Sequence, residues 1–221
     1  MDADKILLSH ATDLKIRADE NSMITFTNFL DLRQISLLRS IEKTKSDEVK
    51  TFYYGGYKNA ERVCAVFVPS FYEASCDIFE YFNMYPEDNP LCLLKVLKDK
   101  FSSVGHRDYL GALMGLGLKR EVLGDILADK NETFIIALKQ NSAFICENLK
   151  SVGRATVAVE ACDFSCLSER TEQFEEINAY IASERLDNFV SEIAKVSRKM
   201  ATDLIERELV SINCKIESKQ T

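Results

Sequence analysis

An α+β fold is what this sequence predicts. It divides into an N-terminal α/β unit (1–89), a central βαββαβ unit (90–162), a linker (163–182) and a short C-terminal unit (183–221). Three observations carry the prediction. Apolar residues recur at helical spacing in several places, Tyr109, Leu110, Leu113 and Met114 among them. Runs rich in β-branched and aromatic residues, such as Val63–Pro69 and Thr133–Leu138, are bounded by turn or breaker residues and read as strands. Between 91 and 160 the two kinds of segment follow one another as strand, helix, strand, strand, helix, strand. With 46% apolar and 29% charged residues in a chain of 221, there is enough apolar material for a core.

In the N-terminal unit, Ile6, Leu7, His10, Ala11 and Leu14 mark a first amphipathic helix, with His10 a packed or half-exposed histidine. A second begins after Asp31, a plausible N-cap, and buries Ile35, Leu38 and Ile41. The stretch 51–69 predicts two strands joined by the Gly55-Gly56 turn and a few helical residues, the second strand closed by Pro69. Phe71 to Pro90 is aromatic and acidic and reads as a surface connection.

The central unit is predicted to run strand 91–97, helix 106–116, strand 125–128, a tight turn at 129–132, strand 133–138, helix 141–149 and strand 155–160. That order is the ferredoxin-like plait, an architecture that serves many functions. Gly111 and Gly115 share one helix face and predict close approach of another backbone, while Gly117 suits the left-handed position that ends the helix. His106-Arg107-Asp108 matches the kinase catalytic loop by accident. The required asparagine is Leu113, and neither a glycine-rich phosphate loop nor Asp-Phe-Gly occurs, since Ser165 follows Asp163-Phe164. Thr133–Leu138 offers only Phe134 where an RNA-recognition motif needs several stacking rings, so any RNA contact here falls to Arg107, Lys119, Arg120 and Arg154, with His106 beside them.

The run from Gly105 to Ile126, HRDYLGALMGLGLKREVLGDI after its first glycine, closely resembles the central segment of the YlmH-type RNA-binding proteins. The stretch Tyr54 to Arg62, with Gly55-Gly56-Tyr57 and Ala60-Glu61-Arg62, extends the resemblance into the N-terminal third.

After an acidic linker, Ile177, Ala179 and Ile181 alternate and predict a short strand. Leu186, Phe189, Val190 and Ile193 then give one helix; Ser197 caps a second carrying Met200, Ala201, Leu204 and Ile205; Val210 and Ile212 begin a strand. This pattern resembles an S4 domain at Arg185-Leu186-Asp187, Ser197-Arg198, Leu204-Ile205, Val210, Asn213 and Lys215. It departs from that domain at Glu208, where a turn glycine is usual, and in ending before the closing strand pair. A partial S4 domain is therefore expected, either trimmed or unusually short. At its second helix the positive dipole end, free amides, Ser197, Arg198 and Lys199 converge, an arrangement that favours a phosphate. Arg185, Arg207 and Lys215 are further candidate RNA contacts.

Net charge is −7, which taken alone argues against nucleic acid. Its distribution differs: 10 basic against 15 acidic residues in 1–89, 10 against 8 in 90–162, 1 against 5 in 163–182, and 7 against 7 in 183–221. A basic face can therefore form in the central and C-terminal parts. Seven scattered cysteines fit reduced thiols better than a zinc site. The N-terminus lacks a signal-peptide pattern and no run could span a bilayer, so a cytoplasmic protein is expected. No catalytic motif, cofactor fingerprint or metal cluster is present, and a non-enzymatic protein with no small-molecule substrate is the expectation. The YlmH resemblance implies binding of structured RNA (rRNA and tRNA) on the large ribosomal subunit in ribosome-associated quality control. The alternatives are an accessory to an RNA-modifying enzyme and a protein-interaction module, related to cell division, whose acidic N-terminal part meets a basic partner.

Overall fold

The computed structural model describes residues 3–42, 49–69, 72, 77–98, 104–129, 132–167, 177–181, 183–212 and 215–216. The chain forms two compact units, Met1–Ser168 and Glu169–Thr221. The boundary expected at 89/90 falls inside the first.

The first unit opens with α1 (Ala3–Glu20), β1 (Thr25–Phe26), α2 (Leu32–Glu42), β2 (Val49–Tyr54) and β3 (Cys64–Pro69). Asp31 caps α2 reciprocally with Gln34: its carboxylate accepts from the Gln34 amide at 2.8 Å, and its own amide donates to Gln34 Oε1 at 2.9 Å. On α1 the buried positions are Ala11 and Ala18, with Leu7, Leu8 and Leu14 packed beside them, whereas Ile6 and His10 face outward. Strands order as β1-β3-β2, all antiparallel, with Thr51 opposite Phe67 and Tyr54 opposite Cys64. The residues between β2 and β3 are turn and bend with Asn59 left-handed, in place of the expected helical residues. The expected surface connection contains a helix, α3 (Ile78–Met84), capped by Asp77 and burying Ile78 and Phe82. Its acidic composition describes only the outer side, for the aromatic side packs inward.

The second sheet follows: β4 (Leu91–Lys98), α4 (His106–Gly115), β5 (Leu123–Ala128), β6 (Thr133–Leu138), α5 (Ser142–Asn148), β7 (Ser151–Val152) and β8 (Ala155–Cys162). Its strand order is β5-β6-β4-β8-β7, every pair antiparallel. Because side chains alternate across a strand, this sheet has two buried faces. Leu94, Val96, Ile135 and Ala137 pack against Tyr109 and Leu113 of α4 and Ile145 of α5. Leu91, Leu93, Phe134, Ile136 and Leu138 point the other way, into a core shared with Tyr54, Val66 and Val68 of the first sheet, Phe29 of the segment between β1 and α2, and Phe82 of α3. The shared core is why 1–89 and 90–162 fold as one body.

The second unit contains α6 (Leu186–Ile193), α7 (Arg198–Glu206) and the antiparallel pair β9 (Ser211–Ile212) and β10 (Lys215–Ile216). Ala201 and Ile205 are its buried apolar positions on α7. Residues 177–181 carry no strand, so alternation there was not accompanied by a pairing partner among the described residues. Glu208 takes φ +60°. Its amide donates to Ile205 O at 2.9 Å and the Leu209 amide to Leu204 O at 3.0 Å, which is the double bond pattern of a Schellman turn. The position where the sequence pattern leads one to expect glycine thus keeps the glycine conformation with a glutamate in it.

Candidate nucleic-acid interface

In the first unit the site begins at α4. Asp108 accepts a hydrogen bond from the Gly105 amide at 2.8 Å, so the aspartate of the kinase-like triplet is a helix cap. His106 and Arg107 are exposed on the same first turn. Gly117, at φ +85°, ends the helix as expected, its amide donating to Met114 O at 2.9 Å. Gly111 and Gly115 depart from expectation. Both are exposed, and a methyl group on either would meet nothing within 4 Å. The buried stripe, Tyr109 and Leu113, lies on the opposite side, and Met114 is 44% exposed. Spacing places two glycines on one face but does not say whether that face points inward.

Lys119 and Arg120 behave differently from each other. Lys119 is exposed, its ammonium 3.8 Å from Glu121. Arg120 is half-buried and its Nη1 donates to the carbonyls of Leu123 (2.7 Å) and Gly124 (3.0 Å). Beside it Arg62 donates from Nε to Leu123 O (3.0 Å), and from Nη2 to Phe29 O (3.2 Å) and Arg120 O (3.3 Å). Burial lowers the pKa of both guanidinium groups; the Asp125 carboxylate acts in the opposite sense. Asp125 lies at a bulge in β5, where the register with β6 shifts between Leu123 and Ile126. It accepts from the Tyr57 hydroxyl (2.9 Å), the Glu61 amide (2.8 Å) and the Arg62 amide (3.2 Å). Gly124 lets the Phe29 ring approach, since a Cβ there would sit 2.8 Å from it. The two stretches that carry the sequence resemblance, 54–62 and 105–126, are therefore two halves of one joint. Sequence reading gave Arg62, Tyr57 and Asp125 no role in it. Arg154 is exposed after β7.

In the second unit three candidates come together at the start of α7. Ser197 Oγ accepts from the Met200 amide at 3.2 Å, capping the helix. Arg198 Nε donates to Asp187 Oδ2 at 2.7 Å, and Arg185 donates to the same carboxylate from Nε (3.0 Å) and Nη2 (3.4 Å). The Asp187 side chain is 3% exposed; those of Arg185 and Arg198 are 45% and 57% exposed. The two arginine hydrogen bonds hold the carboxyl of Asp187 down at about 2, outweighing the upward effect of burial. Lys199 is exposed on the same turn. Arg207 sits at the far end of α7, paired with Asp203 at 3.2 Å. Lys215 lies on β10, and its side chain is outside the described residues. Asp187 is the residue whose role sequence reading missed. The signal available was its place two residues after Arg185, ahead of a Ser-Arg helix start.

Residues 86–166, the second sheet with α4 and α5, match the family model described as "Putative RNA-binding domain in YlmH". Across nearly the whole chain there is similarity to "Ribosome-associated protein quality control protein P2" of Bacillus subtilis (strain 168): 31% identity over 214 residues, covering 96% of this chain and 79% of that protein. The chain belongs to the YlmH family. The YlmH fold is seen again in the solved structure "Cell division protein ylmH from Streptococcus pneumoniae", which superposes with a TM-score of 0.56 over 74% of this chain and 93% of that one, at 20% identity. Among the described residues of this YlmH-family chain, no helix is long and apolar enough to cross a membrane.

Proposed function

We propose that this YlmH-family protein binds structured RNA, rRNA and tRNA, on the large ribosomal subunit and acts in ribosome-associated quality control in the cytoplasm, without a catalytic step, cofactor or small-molecule substrate of its own. The observation that carries the reading is the cluster at the start of α7, where two half-exposed arginines, an exposed lysine and a capped helix N-terminus meet. That is phosphate-binding chemistry: charge, fixed donors and a favourable dipole at one point. The two helices followed by β9 and β10 support reading this unit as a partial S4 domain.

The antiparallel order β5-β6-β4-β8, with α4 and α5 on one face, supports reading the central segment as a ferredoxin-like plait. Its other face is covered by the first sheet, and Phe134 is 4% exposed. Base stacking on the sheet is thereby closed off, and contact falls to exposed cations. Arg107, Lys119 and His106 form the second proposed contact point. Arg120 belongs to it only as the group that shapes the turn, because its guanidinium is engaged with carbonyls.

Co-sedimentation with ribosomal subunits, in lysates with and without nuclease treatment, tests the reading. Wild-type protein is expected with the large subunit and lost from it after nuclease. Reversing charge at Arg198 and Lys199 is expected to weaken RNA binding irrespective of sequence and to reduce the slope of log affinity against log salt by about two. Unaltered affinity and slope in a folded double variant would exclude α7 as the contact.

A further inference from the structure

We propose that Asp187 is a positioning residue for RNA, a buried carboxylate that holds Arg185 and Arg198 as one preformed fork for a backbone phosphate. The inference rests on the RNA-binding reading above and deepens it by assigning a role to an anionic group on a surface meant for anions.

The geometry is one-sided. Asp187 is almost wholly buried in the first turn of α6, while both arginines reach it from positions about half open to water. Arg198 uses only Nε in this contact, the inner edge of the guanidinium, which leaves its two Nη groups outside the bond. Arg185 gives Nε and Nη2. One carboxylate thus fixes two planar donor groups, one from the extended residue that precedes α6 and one from the residue that opens α7. Long side chains lose rotamer freedom when a ligand orders them, and a group that orders them beforehand removes that cost from binding. Two guanidinium groups meet one carboxylate, and Arg198 brings two Nη donors of the kind suited to bidentate phosphate contact. Carboxylate ionisation is secure, since the arginines hold its pKa at about 2.

Asp187→Asn separates this role from plain electrostatics. Removing a negative charge from a cationic face strengthens RNA binding if charge alone matters. Positioning predicts the reverse. The experiment measures binding of a fluorescently labelled RNA hairpin to the full chain at several salt concentrations, with circular dichroism to follow the helices. The expected result is an affinity about tenfold lower for Asp187→Asn, with most of it recovered in Asp187→Glu. The loss is expected to shrink on an Arg198→Ala background, because one of the two groups being positioned is gone. Binding as tight as wild type, or a loss that adds to that of Arg198→Ala, overturns the proposal. If Asp187→Asn does not keep its helical signal, Arg185→Ala, Arg198→Ala and their double variant replace it. A shared phosphate requires their losses to be less than additive, and additive losses overturn the fork. Normal binding by the Arg198, Lys199 charge-reversal variant would instead sink the parent reading, so the two failures are distinguishable.

Discussion

Two aspartates in this protein each sit among a pair of arginines, and they do opposite things. Around Asp125 the arginines turn inward: Arg62 and Arg120 donate to the main-chain carbonyls of Phe29, Arg120, Leu123 and Gly124, and the carboxylate takes amides and the Tyr57 hydroxyl. Around Asp187 the carboxylate takes the guanidinium protons directly and the arginines stay half in water. The first cluster satisfies polar groups at a sheet bulge, where the guanidinium hydrogen bonds go to main-chain carbonyls and the carboxylate takes two amides and a hydroxyl. The second leaves charge on show. One aspartate and two arginines hold the fold together in one unit and leave charge half exposed in the other, and what distinguishes the clusters is which acceptors take the guanidinium hydrogen bonds.

The largest effect expected from this contrast is that of Asp125→Ala. It strands buried donors beside two arginines, and a broken buried charge cluster costs about 3–5 kcal/mol, readable as a lower urea midpoint. A drop of the same size in Asp187→Ala would erase the distinction. Next comes Arg120→Ala, which removes charged donors from two carbonyls and is expected to cost about 2 kcal/mol while leaving RNA affinity intact. Arg198→Ala is expected to do the reverse, with little change in melting and weaker RNA binding. If Arg120→Ala lost RNA at full stability, the inward cluster would also be a contact.

Glycine sharpens the comparison further. Gly124→Ala drives a methyl group against Phe29 and Ile136 and should cost about 1–2 kcal/mol, whereas Gly111→Ala, facing nothing, should gain about 0.5–1 kcal/mol. Equal melting temperatures in both would contradict the packing described. In the second unit Glu208→Gly relieves a left-handed glutamate and is expected to stabilise by about 1 kcal/mol in a thermal melt. Last, the depressed pKa of Asp187 has a definite sign. Its ionised form contributes stability fully above about pH 4, the unfolded value, and that contribution drains away as pH falls towards 2. Acid titration of the helical signal should show this limb in wild type and a flatter one in Asp187→Asn.

Much of the architecture was legible in the chain. Strand 133–138 was read to the residue and helix 106–115 to within one, because both announce themselves by period and by flanking turn residues. The cap roles of Asp31, Ser197 and Gly117 were legible for the same local reason. What period alone cannot give is direction. Gly111 and Gly115 were placed on one face correctly, but the face turned outward because Tyr109 and Leu113 are larger and took the core. The helix α3 was hidden by its acidic outer side. Of the candidate contacts, the grouping of Arg185, Ser197 and Arg198 depended on a carboxylate between two helices, and the engagement of Arg120 depended on the carbonyls of a bulge. The first joins Arg198 to a carboxylate eleven residues earlier, and the second depends on the backbone turning three and four residues after Arg120, which no side-chain period announces.

The doubly covered central sheet has a practical and an evolutionary consequence. Residues 86–166 can be recognised as a module by similarity, yet excised they would display Leu91, Leu93, Phe134, Ile136 and Leu138 as a bare apolar sheet face. Such a surface invites self-association. A fragment cut at those limits should therefore come out of a cell as inclusion bodies, and one beginning at α1 should not. Any lineage that transplanted the module into another protein would have had to carry the N-terminal sheet along or evolve a new lid for it.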